Sequence, residues 1–452
     1  MADAADRAGR VDLVAALRAL DGVAGSRAEL HAKACVRCGL CGQSCHFYLA
    51  DPVPENLPAA KVEKLASLLR GRRSLLGRNA PWLSRARDLT PDALEELADA
   101  VFGRCTGCGR CSLHCSVGLD VSAVMQAARR VLGAAGLTPS GLRQTLDNQI
   151  RDGNQMSIPR EELVETASWL SEELARETGD KEARVRVDET GSRVLYLVNP
   201  REVKFFPLSL QAAAGVFHAA GESWTLSSRV FDVTNYGFFA ADDASAAELT
   251  RRAVEEAKRL GASEIVVSEC GHGFRSFRWE GPEWLDGAYP VRVRSVLELL
   301  DEYLAGDRLL VDPSRNALPL TLHDPCNLVR WGGIVDPQRR VLARVAEKLV
   351  EMTPNREQNY CCGGGGGLLA MEEYGERRIS SGAIKAAQIR DTGARIVACP
   401  CHNCADQLLE LARVHALEVE IRSVVEIVYD AIDWSGIASR SRPVAEDAGR
   451  DA

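Results

Sequence analysis

The chain has 452 residues, a formal net charge of −8, and 46% hydrophobic and 26% charged residues. Its length exceeds one ordinary core and predicts several domains, and its acidic balance argues against a nucleic-acid partner. No apolar run reaches the roughly 18 residues that span a bilayer, so no transmembrane segment is expected and any membrane contact should be borrowed from a partner. The N-terminus, "MADAADRAGRVDLVAALRAL", mixes acids and arginines through its apolar positions. It lacks a signal peptide's apolar region and cleavage site, which predicts a cytoplasmic protein.

The fifteen cysteines carry most of the information, because a reducing compartment makes clustered cysteines metal ligands rather than disulfides. "CVRCGLCGQSC" supplies Cys35, Cys38, Cys41 and Cys45; "CTGCGRCSLHC" supplies Cys105, Cys108, Cys111 and Cys115. Both have the spacing C-x2-C-x2-C-x3-C, in which three thiolates wrap one corner of a cubane and the fourth ligates the other cluster. The spacing therefore assigns Cys35, Cys38, Cys41 and Cys115 to one 4Fe–4S cluster, and Cys105, Cys108, Cys111 and Cys45 to a second. Structural zinc would leave the duplicated spacing unexplained. His46 and Ser116 follow the fourth cysteines where proline is usual, which leaves ligation intact.

Between the loops, Arg70 to Arg87, "RGRRSLLGRNAPWLSRAR", is strongly basic and reads as a solvated linker rather than a docking patch. Thr90 as N-cap and Pro91 at the first helical position open the helix "TPDALEELADAVFG". Helical patterns continue to about residue 178, and the polar run "ETGDKEARVRVDETGS" places a boundary near residue 185. This module resembles the helical two-cluster ferredoxins of respiratory complexes, which conduct electrons.

Short apolar runs such as "RVLYLV" and "EIVVS" then alternate with helical segments, the signature of parallel α/β structure. The region is a repeat. "GASEIVVSECGHGF" matches "GARIVACPCHNCAD", aligning Cys270 with Cys401 and Gly273 with Cys404. "LVNPRE" faces "LHDPCN", so Arg201 stands opposite Cys326; Thr234 and Asn235 stand opposite Cys361 and Cys362. Only the second copy keeps Cys326, Cys361, Cys362, Cys401 and Cys404. In "CCGGGGGLLA", Gly363 and Gly364 let the backbone approach a cluster and aim N–H groups at its sulfur; no Lys-Ser or Lys-Thr follows, as a phosphate-binding loop requires.

The pattern Cys326, Cys361-Cys362-Gly363, Cys401-x2-Cys404 resembles the CCG (cysteine-rich) domain of heterodisulfide reductases. A two-cluster ferredoxin domain ahead of two such domains resembles the HdrD/DsrK branch, and "CHNCADQL" and "SECGHGFR" look most like its DsrK-type members. The resemblance implies a non-cubane or otherwise unusual 4Fe–4S cluster on the five cysteines of the second copy, beside the two cubanes, at a site where disulfides are cleaved. The degenerate first copy departs from members with two complete motifs and puts a fourth cluster in doubt. The expected architecture is an α+β multidomain chain: a helical extension over residues 1–30, a helical two-cluster ferredoxin-like domain over 31–185, a degenerate CCG domain over 186–310, a complete one over 311–432 and a disordered tail over 433–452.

Cleaving a disulfide takes two electrons while cubanes deliver one at a time, so the site must hold a half-reduced sulfur between deliveries. Cys270 is a candidate exchange thiol. His272 and His402 are candidate acids, or else histidines hydrogen-bonded for structure alone. Cys399 reads as a small buried residue. Two functions follow: a thiol–disulfide oxidoreductase acting on a small thiol or a sulfur-carrier protein, or a relay between a flavin dehydrogenase and quinone. No G-x-G-x-x-G follows a strand, so flavin or nicotinamide belongs to a partner. The implied partners are a membrane cytochrome, a quinone-interacting subunit or another redox subunit, which would hold the chain at the inner face of the membrane.

Overall fold

The structure, a computed structural model, describes residues 11–435 except 288 and 290. The fold is α+β. The N-terminal part is a helical array, Leu13–Gly22, Arg27–Ala34, Pro58–Arg73, Pro91–Ala98 and Val121–Ala134. Thr90 caps its helix as expected, its hydroxyl accepting from the Ala93 N–H at 3.2 Å behind Pro91. These helices bury Leu20, Leu65, Leu94, Phe102, Val124 and Leu132 in one core. That core also takes Tyr236, Phe239, Leu368 and Met371 from the later half, so the helical array and the α/β half are packed as one body.

The α/β half contains two small sheets whose strands all run parallel. Strands β1 (Val194–Leu197), β2 (Trp224–Thr225), β3 (Glu264–Val267) and β4 (Arg292–Ser295) form a sheet of order β2-β1-β3-β4. Strands β5 (Leu320–Leu322), β6 (Ile396–Ala398) and β7 (Glu420–Arg422) form a sheet of order β5-β6-β7. β1 is buried throughout, as a strand covered by helices on both faces must be. The order β1-β3-β4 recurs in β5-β6-β7, and both last strands end in the same device. Ser295 with Glu298, and Ser423 with Glu426, form capping boxes that start the next helix.

The two copies face each other about an approximate twofold axis. Helix Pro207–Ala219 of the first packs on Val424–Ala431 of the second, and Val296–Ala305 of the first packs on Pro337–Val345 of the second. Across this joint the Val424 N–H donates to Glu269 Oε1 at 2.8 Å, and the His402 N–H donates to the Glu269 carbonyl at 2.9 Å.

Helix Arg160–Thr178, grouped by the sequence pattern with the helical region, buries Leu163, Leu170 and Leu174 in the α/β core instead. Its period shows that it is amphipathic; which core receives it is a tertiary matter. The basic stretch 70–87 is not an unstructured linker. It folds into turns of helix at Leu75–Asn79 and Pro81–Ser84. At the chain's end, Trp434 packs on Tyr429 with ring centroids 5.7 Å apart, and the rest of the expected tail lies outside the described residues.

Helix Ser140–Asp152 lies so close to the Leu368–Ala370 turn that a Cβ on Gly141 would stand 1.9 Å from the Ala370 carbonyl oxygen, whereas a Cβ on Gly22 would meet nothing within 4 Å. Gly141→Ala should therefore lower stability by about 1–3 kcal/mol, and Gly22→Ala should be neutral or raise it by about 0.5–1 kcal/mol. Denaturant midpoints of the two variants check the contrast.

Candidate metal centres

The two cysteine loops exchange their fourth members in space. Cys35, Cys38, Cys41 and Cys115 line one cavity of about 420 Å³, walled by Val62, Val117 and Leu119. Cys45, Cys105, Cys108 and Cys111 line another of about 400 Å³, with Lys61 and His46 beside them. Positive φ at Gly39 and Gly109, each the residue after a loop's second cysteine, turns the backbone so that successive thiols point inward.

A third cavity, about 330 Å³, lies between the copies and is lined by Cys326, Cys361, Cys362, Cys401 and Cys404. Each thiol comes from the C-terminal end of a strand or from the glycine loop. Cys326 follows β5 and starts the helix Cys326–Val329, while Cys401 is the N-cap of the helix His402–Val414 after β6 and Cys404 lies in its first turn. In the glycine loop the Gly363 N–H points at Cys361 Sγ and the Gly364 N–H at Cys362 Sγ, both at 3.4 Å. Gly366, at φ +67°, lets this loop lie on the other module: a Cβ there would be 2.9 Å from Thr106 Cα.

Cys361 is where the other sulfurs converge, and hydrogen bonds from the Cys108, Cys326 and Cys362 thiols hold its own thiol well below the ordinary range. Hydrogen bonding from Cys404 likewise lowers Cys401, to about 7, against the cost of burial. Cys108 Sγ and Cys361 Sγ, with His46, lie within 4.8 Å of one another. Thr106 Oγ1 sits between them, 3.5 Å from Cys361 Sγ and 3.3 Å from His46 Nε2. The second cubane cavity and the five-cysteine cavity are thus in side-chain contact.

The degenerate copy is filled rather than empty. Arg201, opposite Cys326 in the repeat, pairs with Asp406 at 2.5 Å, and Glu202 pairs with His402 at 3.1 Å. Thr234 and Asn235, opposite the Cys361–Cys362 pair, are buried and bonded: Thr234 to Asp232, and Asn235 as cap to Phe238 N–H. Cys270 is its one thiol, so these residues do not fit a fourth cluster.

His272 lines the five-cysteine cavity. Its Nε2 accepts from the Asn235 N–H at 3.3 Å, and its Nδ1 faces Cys270 Sγ at 3.4 Å. Burial pushes its pKa down to about 3, so the ring is neutral. Burial works against charge on His402 too, but the Glu202 carboxylate overrides it and raises the group to about 9. His402 is therefore a charged member of a buried ion pair. Cys399 is buried, its Sγ 3.5 Å from the Cys401 carbonyl.

Several site residues carry no motif. His323 is buried with no hydrogen-bond partner on either ring nitrogen, and a ring nitrogen lies within 4.8 Å of Cys362 Sγ and Cys404 Sγ. An imidazole stranded this way costs stability unless something occupies the sulfur side. Its repeat partner is Val198, so the histidine is missing from the copy that lost its thiols. Lys61, Arg129 and Lys385 are buried cations around the same cavities, and among the described residues none pairs with a carboxylate. Burial pushes Lys385 down to about 8 and Arg129 to about 10. Such unpaired cations need nearby anionic groups, which thiolate-bound clusters supply. Orphaned imidazole, converging thiols and buried cations together fit iron–sulfur clusters.

Residues 31–119 match the 4Fe-4S dicluster domain family and residues 320–409 the cysteine-rich (CCG) domain family. The chain is 27% identical over 443 residues to the Hdr-like menaquinol oxidoreductase iron-sulfur subunit 2 of Archaeoglobus fulgidus, covering 88% of this chain and 79% of that protein. It is 28% identical over 443 residues to the corresponding iron-sulfur subunit of Archaeoglobus profundus, with the same coverage of both chains. To a subunit of the dihydromethanophenazine:CoB–CoM heterodisulfide reductase of Methanosarcina barkeri it is 26% identical over 406 residues, covering 89% of this chain and 94% of that one. Fold, cavities and matches define an iron–sulfur oxidoreductase subunit of the Hdr type, carrying 4Fe–4S clusters. The two domain matches and these relatives support an HdrD-like family for the chain.

Cys45→Ala should abolish the EPR signal of the cluster bound by Cys105, Cys108 and Cys111 and spare that of its sequence neighbours. Iron in the intact anaerobic protein should be about twelve per chain, since three cavities among the described residues fit clusters. A value near eight would remove the five-cysteine site, and one near sixteen would restore the degenerate copy.

Proposed function

We propose that the chain passes electrons from the cubane bound by Cys35, Cys38, Cys41 and Cys115, through the one bound by Cys45, Cys105, Cys108 and Cys111, to the five-cysteine site. There a disulfide or trisulfide is reduced, or in reverse formed. The observation that carries this reading is the convergence of Cys326, Cys361, Cys362, Cys401 and Cys404 on one cavity, one thiol more than a four-iron cluster needs for one ligand per iron. A cluster bound there supplies one-electron steps and a place to hold sulfur. Reducing R–S–S–R′ consumes two electrons and two protons and releases RSH and R′SH.

The protein's own groups support sulfur chemistry on one side of that cavity. Phe239, Gly271 and His272 of the degenerate copy form a wall without cysteines. An adjoining small cavity, lined by Gln126, Phe238, Arg275 and Asn327 among others, shares Phe239 and Asn327 with it. Since Nε2 of neutral His272 accepts from a backbone N–H, its proton sits on Nδ1, which faces Cys270 Sγ and the Asn403 amide, each at 3.4 Å. Cys270 is proposed as an exchange thiol steadied by that N–H, and His402 as an anchor of the joint between the copies.

Ferricyanide oxidation with a small thiol or a sulfur-carrier protein should give a thiol-dependent paramagnetic signal. Cys361→Ala and Cys404→Ala should lose it and keep both cubane signals. Cys270→Ala should retain the iron and slow disulfide turnover. Absence of the signal with every thiol tried, alongside fast reduction by a flavoprotein, would replace this reading with that of a relay subunit.

A further inference from the structure

The segment from Arg70 to Arg87 contains six arginines and no acid, although the chain as a whole carries −8. Within residues 75–83 it exposes Leu75, Leu76, Trp82 and Leu83, with Trp82 at 81% and Leu75 at 71% of full exposure. Three arginines tie the segment down: Arg70 to Glu63, Arg72 to Asp21 at 2.9 Å and Arg87 to Glu96 at 2.7 Å. The other three, Arg73, Arg78 and Arg85, are exposed and have no carboxylate partner among the described residues.

The shape is built rather than slack. A Cβ on Gly77 would collide with the Arg70 carbonyl oxygen at 2.1 Å and one on Gly71 with that of Arg87 at 2.2 Å, while the Arg87 N–H bonds the Ser67 carbonyl at 3.1 Å. The closed hairpin holds its leucines and tryptophan in water, which costs free energy unless something covers them.

We infer that this hairpin seats the protein directly on an anionic lipid surface. Its pattern separates lipid from a protein partner. Every charge in the segment is positive, and its arginines alternate with exposed leucines and a tryptophan. That arrangement suits a bilayer boundary, where guanidinium groups reach phosphates while leucine and tryptophan enter the acyl edge.

The position also matters. Glu63, which holds Arg70, holds Arg37 at 2.8 Å as well, and Arg37 lies between Cys35 and Cys38. The hairpin thus stands beside the first cubane loop, whose Cys38 is exposed together with Val36 and Leu40. Seated this way, that cubane meets a membrane-borne redox partner first. The inference does not depend on disulfide chemistry at the far site.

Flotation of the intact anaerobic protein with vesicles tests it. The protein should float with phosphatidylcholine vesicles containing phosphatidylglycerol, not with pure phosphatidylcholine, and added salt should release it. Arg73→Gln and Arg78→Gln should each weaken binding about fivefold; a Trp82→Ala/Leu83→Ala double variant should lose it, and Trp169→Ala, at another exposed tryptophan, should not. Unchanged iron content would show that the variants fold. Equal binding to both vesicle types, or binding that survives the double variant, would overturn the inference. So would absence of vesicle binding while the same variants lose capture of a protein partner.

Discussion

The buried guanidinium of Arg129 is the contact on which the arrangement of modules depends. All five of its N–H groups go to carbonyl oxygens: Nε and Nη2 to Val101, Nη2 also to Cys105, Nη1 to Phe239 and Gly366. Those acceptors belong to the helical array, the second cysteine loop, the degenerate copy and the glycine loop. With every donor used on neutral oxygens the positive charge stays uncompensated, and a buried charge in that condition is strongly unfavourable. The anionic sulfur centres on either side offset it. Docking of the modules and occupancy of the metal sites are therefore coupled through one side chain.

Duplication explains why the chemistry is asymmetric. A twofold pair of copies presents two equivalent crevices at strand ends, and this chain has five converging thiols in one and ion pairs in the other. Arg201 with Asp406 and Glu202 with His402 occupy the second crevice and fasten the copies together. The degenerate copy has not become a spacer. Through Phe239, Gly271 and His272 it forms the cysteine-free wall of the surviving site.

The sequence makes the covalent part of the site legible. Cysteine spacing foretells the exchange of Cys45 and Cys115 between loops, and self-comparison foretells that Arg201 and Cys326 occupy equivalent places. The glycine run is legible because close approach leaves few other residues possible, and the structure puts the Gly363 and Gly364 N–H groups against sulfur. What escapes is what depends on long-range burial. His323, Lys385 and Arg129 belong to no motif, and each matters only because distant segments remove it from water. A trace of His323 is present, since the repeat pairs it with Val198 just where the thiols disappear. Helix Arg160–Thr178 groups with the helical region in sequence because periodicity marks an apolar face and not the core that receives it. The basic hairpin reads as a linker because composition is silent about two glycines that close it.

Trp331 and Arg330 of the second copy clamp the second cysteine loop. Trp331 donates to the Gly107 carbonyl at 3.2 Å and Arg330 to that of Cys108 at 2.8 Å, and the indole lies so close to Gly109 that a Cβ there would be 2.4 Å away. The latch lies over Cys108, which stays partly exposed. Whatever fills the inner loop bears on how this latch seats, so cluster insertion and closure of the two halves are linked steps.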